Sequence, residues 1–295
     1  MNNHIFHIVD VFAEEKYSGN QLAVVRNAER LSDSEMQQIT REMHFSETTF
    51  ILSDEPRNGG FDVRIFTPEN EVDFAGHPTL GTAYVIQKMI LRKQIEKVVL
   101  NLKVGKIPVS FQKQSDGSSI LWMQQINPTF GLELPPERLA EVLCIDKKMI
   151  HPHFPIQEVS TGLPFIIVPL TNLAALKQVK INNDKYDQLT EKAWAKAILV
   201  FTPEGHDKTA DLSVRVFPLC FGIPEDPATG SGNGCLAGYL VKHCFFGRPE
   251  INLKVSQGHE IKRPSLIRLK AEERGQQVHI QVGGRVVEVA EGRLI

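Results

Sequence analysis

A run of small residues at the head of an apolar helix constrains this chain more than any other feature. Glu225-Asp226-Pro227-Ala228-Thr229-Gly230-Ser231-Gly232-Asn233-Gly234 leads straight into Cys235-Leu236-Ala237-Gly238-Tyr239-Leu240. The segment sets an acid, a hydroxyl and glycines at a helix start, where unpaired N–H groups and the positive end of the helix dipole attract anions. A second segment of the same design lies upstream, Ala75-Gly76-His77-Pro78-Thr79-Leu80-Gly81 followed by Thr82-Ala83-Tyr84-Val85-Ile86. Small residues in both helices (Gly81, Thr82, Ala83; Gly234, Ala237, Gly238) let strands approach closely, so each helix is expected to be wrapped by a sheet. Two such helix starts facing each other would make a pocket for a small carboxylate.

The residues leading into these helices also repeat. Val63-Arg64-Ile65-Phe66 precedes the first and Val214-Arg215-Val216-Phe217 the second. The pattern predicts an α/β (α+β) fold of two pseudo-symmetric domains, each a curved sheet around one central helix. Residues 1–127 form the first and 128–283 the second, the boundary falling at the turn-rich Asn127-Pro128-Thr129-Phe130-Gly131. The C-terminal strand, 284–295, is left free to complete the first. Strands are expected over Ile5–Phe12, Asn20–Val25, Thr48–Leu52 and Phe61–Phe66. A helix should follow Ser32, with Glu35 completing a capping box and Met36, Ile39 and Met43 on one face. Pro78 suits a helical first turn. Val278–Val289 alternates around Gly283-Gly284 and predicts a closing hairpin.

At 295 residues, with 42% hydrophobic and 23% charged residues, the chain suits two folded domains rather than disorder. A formal net charge of -2 gives no electrostatic reason to expect nucleic acid or an anionic membrane as a partner. No segment approaches a membrane span. Met1–Glu15 lacks the basic start and apolar block of a signal peptide, and a cytoplasmic protein is expected. The four cysteines, Cys144, Cys220, Cys235 and Cys244, show no metal or redox spacing and are expected to be buried free thiols.

Several residues carry chemistry. Glu47, in Phe45-Ser46-Glu47-Thr48-Thr49-Phe50, is either an exposed turn residue or a partly desolvated carboxylate fit for acid/base work. His77 either packs at the helix start or donates to a substrate oxygen and shuttles a proton near physiological pH. Asp226 either makes an Asx turn before Pro227 or joins the site, and Ser231 either caps the helix or binds a carboxylate oxygen. Gly230, Gly232 and Gly234 serve close ligand approach or a tight turn. The remaining histidines lack such a setting, and His151-Pro152-His153 reads as a loop. The glycine run nearly fits a dinucleotide fingerprint, but Cys235 occupies the third glycine position and Glu250 precedes its strand rather than ending one, so a nucleotide is not expected.

Taken in order, several segments make the chain resemble the phenazine-biosynthesis PhzF-like family. They are Gly19-Asn20-Gln21-Leu22-Ala23-Val24-Val25, Phe45-Ser46-Glu47-Thr48-Thr49-Phe50, Arg64-Ile65-Phe66-Thr67-Pro68, Phe74-Ala75-Gly76-His77-Pro78 with Gly81-Thr82-Ala83, and Asp226-Pro227-Ala228-Thr229-Gly230-Ser231. The resemblance implies a fold like that of diaminopimelate epimerase, with the site in the cleft between the domains and a homodimer as the usual assembly. It implies an isomerase that moves a proton on a small cyclic or amino-substituted carboxylate, with no cofactor and no metal. The family's catalytic glutamate falls on Glu47, and its supporting groups on His77, Asp226 and Ser231. Substrate-binding backbone groups fall at Gly76, Gly230 and Gly232. The related epimerases carry a cysteine at each helix start, whereas His77 and Ser231 stand there in this chain, which disfavours a two-thiol amino-acid racemase. A non-enzymatic small-molecule-binding or protein-interaction role is the alternative from another class.

Overall fold

The structure is a computed structural model describing residues 4–295; Met1, Asn2 and Asn3, where the segment read for a leader begins, lie outside the described residues. The chain forms two compact units, the first made of residues up to 124 together with 283–295, the second of residues 125–282.

In the first unit β1 (His4–Val11) and β2 (Asn20–Val25) pair antiparallel, with Phe6 opposite Val25. The chain re-enters β2 through Gly19 at φ +66°, where a Cβ would lie 2.4 Å from the Val11 carbonyl oxygen, so only glycine fits. Helix α1 (Asp33–Met43) opens with the expected capping box, the Ser32 and Glu35 side chains each bonding the other's backbone N–H, and ends at His44 in the left-handed region. It is the crossover that lets β3 (Thr48–Ile51) run parallel to β2. β4 (Phe61–Phe66) returns antiparallel, and the two-residue β5 (Glu71–Val72) pairs with its end. Helix α2 (Gly76–Val85) continues as a π-helical turn to Leu91. Then β6 (Lys97–Leu102) lies parallel to β4, followed by the meander of β7 (Gly105–Lys113) and β8 (Ser119–Gln124).

The second unit begins with β9 (Thr129–Leu134) and α3 (Pro136–Leu143). β10 (Ile156–Ser160) and β11 (Pro164–Pro169) follow, then α4 (Leu173–Gln178) and α5 (Asn183–Lys192). Next come β12 (Ala197–Thr202), β13 (Leu212–Phe217) and α6 (Gly230–Lys242). The unit ends with β14 (Glu250–Gln257), β15 (Ser265–Arg274) and β16 (Gln277–Gly284), within which the chain passes back to the first unit. There β17 (Val286–Leu294) pairs antiparallel with β1.

The internal repeat is topological. From β17 through β1, β2, β3, β4, β6 and β7 the pairings run antiparallel, antiparallel, parallel, antiparallel, parallel, antiparallel. From β9 through β10, β11, β12, β13, β14 and β15 they run in the same succession. Each sheet wraps a helix free of charged residues until its last turn, as burial on nearly every side requires. In α2 every residue except Tyr84 is buried, and in α6 the stretch from Gly232 to Val241 is buried throughout. A Cβ at Gly81 would meet Leu22 Cδ2 at 2.5 Å and Val11 Cγ2 at 2.9 Å, so the small residues of α2 do bring strands close.

Three expectations need correction. The Asn127–Gly131 patch is not a turn: residues 125–128 are irregular, and Thr129 onward is β9, held by pairing with β10. Gly283 and Gly284 do not turn a hairpin. Only Arg285 separates β16 from β17, and the glycines are close approaches instead: Cβ atoms there would lie 2.5 Å from Trp122 Cε3 and Phe12 Cδ1 respectively. Of the cysteines only Cys235 is buried. Cys144 and Cys244 sit at helix ends with φ of 50° and 46°, and Cys220 lies in a short 3-10 turn, positions that face solvent.

Candidate active site

Glu47 stands immediately before β3, after the left-handed turn at His44 that ends α1. His77 is the second residue of α2, and its Nε2 lies 3.6 Å from Glu47 Oε2, with the two side chains 7% and 17% exposed. That separation is beyond a hydrogen bond, but both atoms can reach one substrate atom placed beside them. The elements carrying the pair are pinned to each other by the buried Thr82 hydroxyl on α2, which meets the Thr49 hydroxyl on β3 at 2.8 Å. Thr48 and Thr49 are fully buried.

Burial drives the His77 pKa down to about 3, against a smaller opposing effect from its hydrogen bond to the Gln21 backbone. The near-physiological titration expected from an unperturbed imidazole therefore does not hold, and the ring facing Glu47 is neutral. Unfolded His77 binds a proton below about pH 6.5, whereas the folded state declines it until about pH 3. Stability is thus complete above the unfolded value and falls as pH drops towards the folded one, by an amount on the order of 4 kcal/mol for this group. Burial also lowers His7, His243 and His259, which adds to the slope with the same sign. Urea unfolding of His77→Asn between pH 4.5 and 7.5 should show a visibly flatter dependence than the wild type; an unchanged slope would show that His77 is not held neutral.

Both central helices start without a side-chain cap. The N-cap of α2 is Ala75, which has no side-chain oxygen, and that of α6 is Thr229, whose hydroxyl makes no cap bond. By contrast α1, α4 and α5 are capped by Ser32, Asn172 and Asn182. First-turn N–H groups without a cap are available to an anionic ligand. In α6 these belong to Gly230, Ser231 and Gly232, and Ser231 is half-buried. A Cβ at Gly232 would touch Leu199 and Phe165 at 3.3 Å, so this glycine also packs the helix against the sheet.

The Thr229 hydroxyl donates instead to the Asp226 carboxylate. Asp226 is 7% exposed and bonds the Val216 carbonyl through its own N–H at 3.0 Å. The buried Gln257 at the end of β14 ties this start together, accepting from Thr229 N–H and Asn233 Nδ2 and donating to the Asp226 carbonyl and the Thr229 hydroxyl. Nothing local in the sequence marks Gln257.

The repeated arginines likewise have partners that no local pattern marks. Arg64 grips Glu71 with two bonds of 2.8 Å and lies 5.1 Å over the Phe66 ring. Arg215 grips Glu225 at 3.0 and 2.8 Å and lies 5.0 Å over Phe217. Each clamp holds the loop between a strand and an uncapped helix start. The first unit thus brings Glu47, His77 and Gly76 together, and the second brings Asp226, Ser231, Gly230 and Gly232 together. Cys235 is fully buried with its thiol against the Thr161 hydroxyl and the Leu163 carbonyl, and burial pushes its pKa up to about 11. It is not a reactive thiol.

The sequence profile of the phenazine biosynthesis-like protein family matches residues 9–292. A trans-2,3-dihydro-3-hydroxyanthranilate isomerase from Pseudomonas fluorescens is 34% identical over 296 residues, covering 99% of both chains. An uncharacterized isomerase from Clostridium acetobutylicum is 31% identical over 293 residues, 97% of this chain and 96% of the relative. Among solved structures, a phenazine biosynthesis protein of the PhzF family from Bacillus anthracis superposes with a TM-score of 0.91 at 28% identity over the full length of both.

Proposed function

The chain belongs to the phenazine biosynthesis-like (PhzF) family and is an isomerase, and from that premise we propose that it moves a proton on a small cyclic or amino-substituted carboxylate with Glu47 as general acid and base. The observation that carries this reading is the Glu47–His77 pair, a carboxylate 3.6 Å from a buried neutral imidazole beside an uncapped helix start. Ionised Glu47 takes a proton from a substrate carbon. The electron pair left behind shifts into the conjugated system, and the same carboxyl returns the proton at another carbon as the double bond moves. His77, neutral, accepts or relays a hydrogen bond at Nε2 without competing for the charge. N–H groups near Gly76 hold the substrate carboxylate and stabilise negative charge as it develops. Ser231, with the N–H groups at Gly230 and Gly232, offers the corresponding donors in the second unit, and Asp226 fixes that helix start through Thr229.

The substrate we assign first is trans-2,3-dihydro-3-hydroxyanthranilate, the compound named for the Pseudomonas fluorescens relative. Turnover in deuterium oxide should place solvent deuterium on carbon in the product or in recovered substrate, read by mass spectrometry. No product and no exchange would remove this compound, and a panel of related carboxylates would then be screened by the same readout. The buried, poorly acidic Cys235 speaks against a thiol-based racemase. A cytoplasmic homodimer belongs to the same reading, and sedimentation equilibrium tests the assembly.

A further inference from the structure

His7 on β1 is fully buried, and among the described residues neither of its ring nitrogens has a hydrogen-bond partner. Leaving such a group unpaired is costly, so it calls for an explanation. Its Nδ1 is aimed at two carboxylates of β17, Glu288 Oε1 at 4.0 Å and Glu291 Oε2 at 3.7 Å. All three atoms lie within 4.8 Å of one another.

The local topology builds this cluster. Glu291 is directly opposite His7 in the β1–β17 ladder. By strict alternation the next β17 residue on the same face would be Val289. A bulge between Ile8 and Val9 instead brings Glu288 opposite Val9, which puts the second carboxylate on the His7 face. Bulges of this kind re-aim a side chain where function needs it.

We propose that His7, Glu288 and Glu291 form a binding site for a divalent transition-metal ion, zinc in the first instance. One imidazole nitrogen and two carboxylate oxygens form a set that zinc accepts at bond lengths of about 2.0–2.2 Å. The His7-to-carboxylate separations are no longer than two such bonds end to end, so an ion fits between His7 and either acid. The glutamate side chains are 39% and 59% exposed, so they are free to close on the ion and leave water a fourth position. Arg26, which otherwise adds positive charge near His7, is occupied by Asp54 at 2.6 Å. The bound ion would staple the C-terminal strand to β1 and complete the first unit. The site shares no residue with the Glu47–His77 pair, so its failure and that of the proposed isomerase reading are distinguishable.

The test is titration of the full chain with Zn2+ and Co2+ after alkylating the exposed cysteines, following heat of binding, melting temperature and the cobalt visible spectrum. The wild type should bind one ion with micromolar or tighter affinity and melt several degrees higher with it. Glu288→Gln/Glu291→Gln, changed only at partly exposed positions and checked for folding without metal, should bind at least about 100-fold more weakly and lose the melting shift. His7→Gln should lose the cobalt spectrum. Absence of binding at millimolar metal in the wild type would overturn the site. Equal binding by wild type and double variant would do so as well, placing the ion elsewhere, such as at the His151–His153 pair.

Discussion

Glu47→Gln is expected to lower kcat by about 10²–10⁴-fold, the usual contribution of a placed general acid and base, while leaving the melting temperature within a few degrees of the wild type. Glutamine has almost the same shape, so the packing of the buried Thr48 and Thr49 that follow it need not change. What it loses is the ability to take a proton from carbon. The measurement is steady-state kinetics with the deuterium-exchange assay on the same samples. Loss of turnover together with loss of exchange, in a protein that melts normally, places the chemistry on Glu47. Retained turnover would sink the general-base role and favour a binding or interaction protein. Because His77 is neutral down to about pH 3, it should add no ionisation to the kcat/KM profile between pH 5 and 8. Any acidic limb there belongs to another group, and the Glu47→Gln variant identifies whether Glu47 is its source.

What sequence alone shows, and what it leaves hidden, follows from how far apart the cooperating residues lie along the chain. The capping box at Ser32 and Glu35, the strand at Asn20–Val25 and the small-residue helices are local patterns, and the structure contains each of them. The placement of Glu47 against His77 depends on β3 and α2 being pinned by Thr49 and Thr82, two hydroxyls whose partnership no spacing rule exposes. Thr229 looks like an ordinary cap, and only the fold shows its hydroxyl spent on Asp226, leaving the α6 start open. The two arginine clamps are hidden because the repeat is inexact. The strand motif recurs, but its glutamate follows seven residues after Arg64 and ten after Arg215. His7 offered no local partner at all, since both of its acids come from the far end of the chain and one of them by way of a bulge.

Those clamps carry the largest expected stability effect. Arg215→Met should destabilise the second unit by about 3–5 kcal/mol, the cost of leaving a buried charge without its partner. Arg215 and Glu225 are each 9% exposed. Arg215 also donates to the carbonyls of Leu176 at 3.1 Å and Val179 at 2.8 Å, so its removal strands the carboxylate and takes a donor from each carbonyl, Leu176 keeping only the Val179 N–H. The equivalent Arg64→Met should cost less, about 1–2 kcal/mol. There Glu71 keeps Lys103 at 2.6 Å, and the second acid on Arg64, Asp33, is 81% exposed. Urea unfolding monitored separately for the two units, since a two-unit chain need not unfold in one step, distinguishes them. Arg215→Met/Glu225→Met should recover much of the loss, because an apolar pair of similar volume leaves no buried charge. If the single variant lost under about 1 kcal/mol, the clamp would be ornamental to folding. Glu225 adjoins Asp226, so a loosened clamp also frees the loop that delivers Ser231 to the head of α6. The double variant, stable but lacking the ionic grip, should therefore show a raised KM more than a lowered kcat, separating the clamp's contribution to positioning from its contribution to stability.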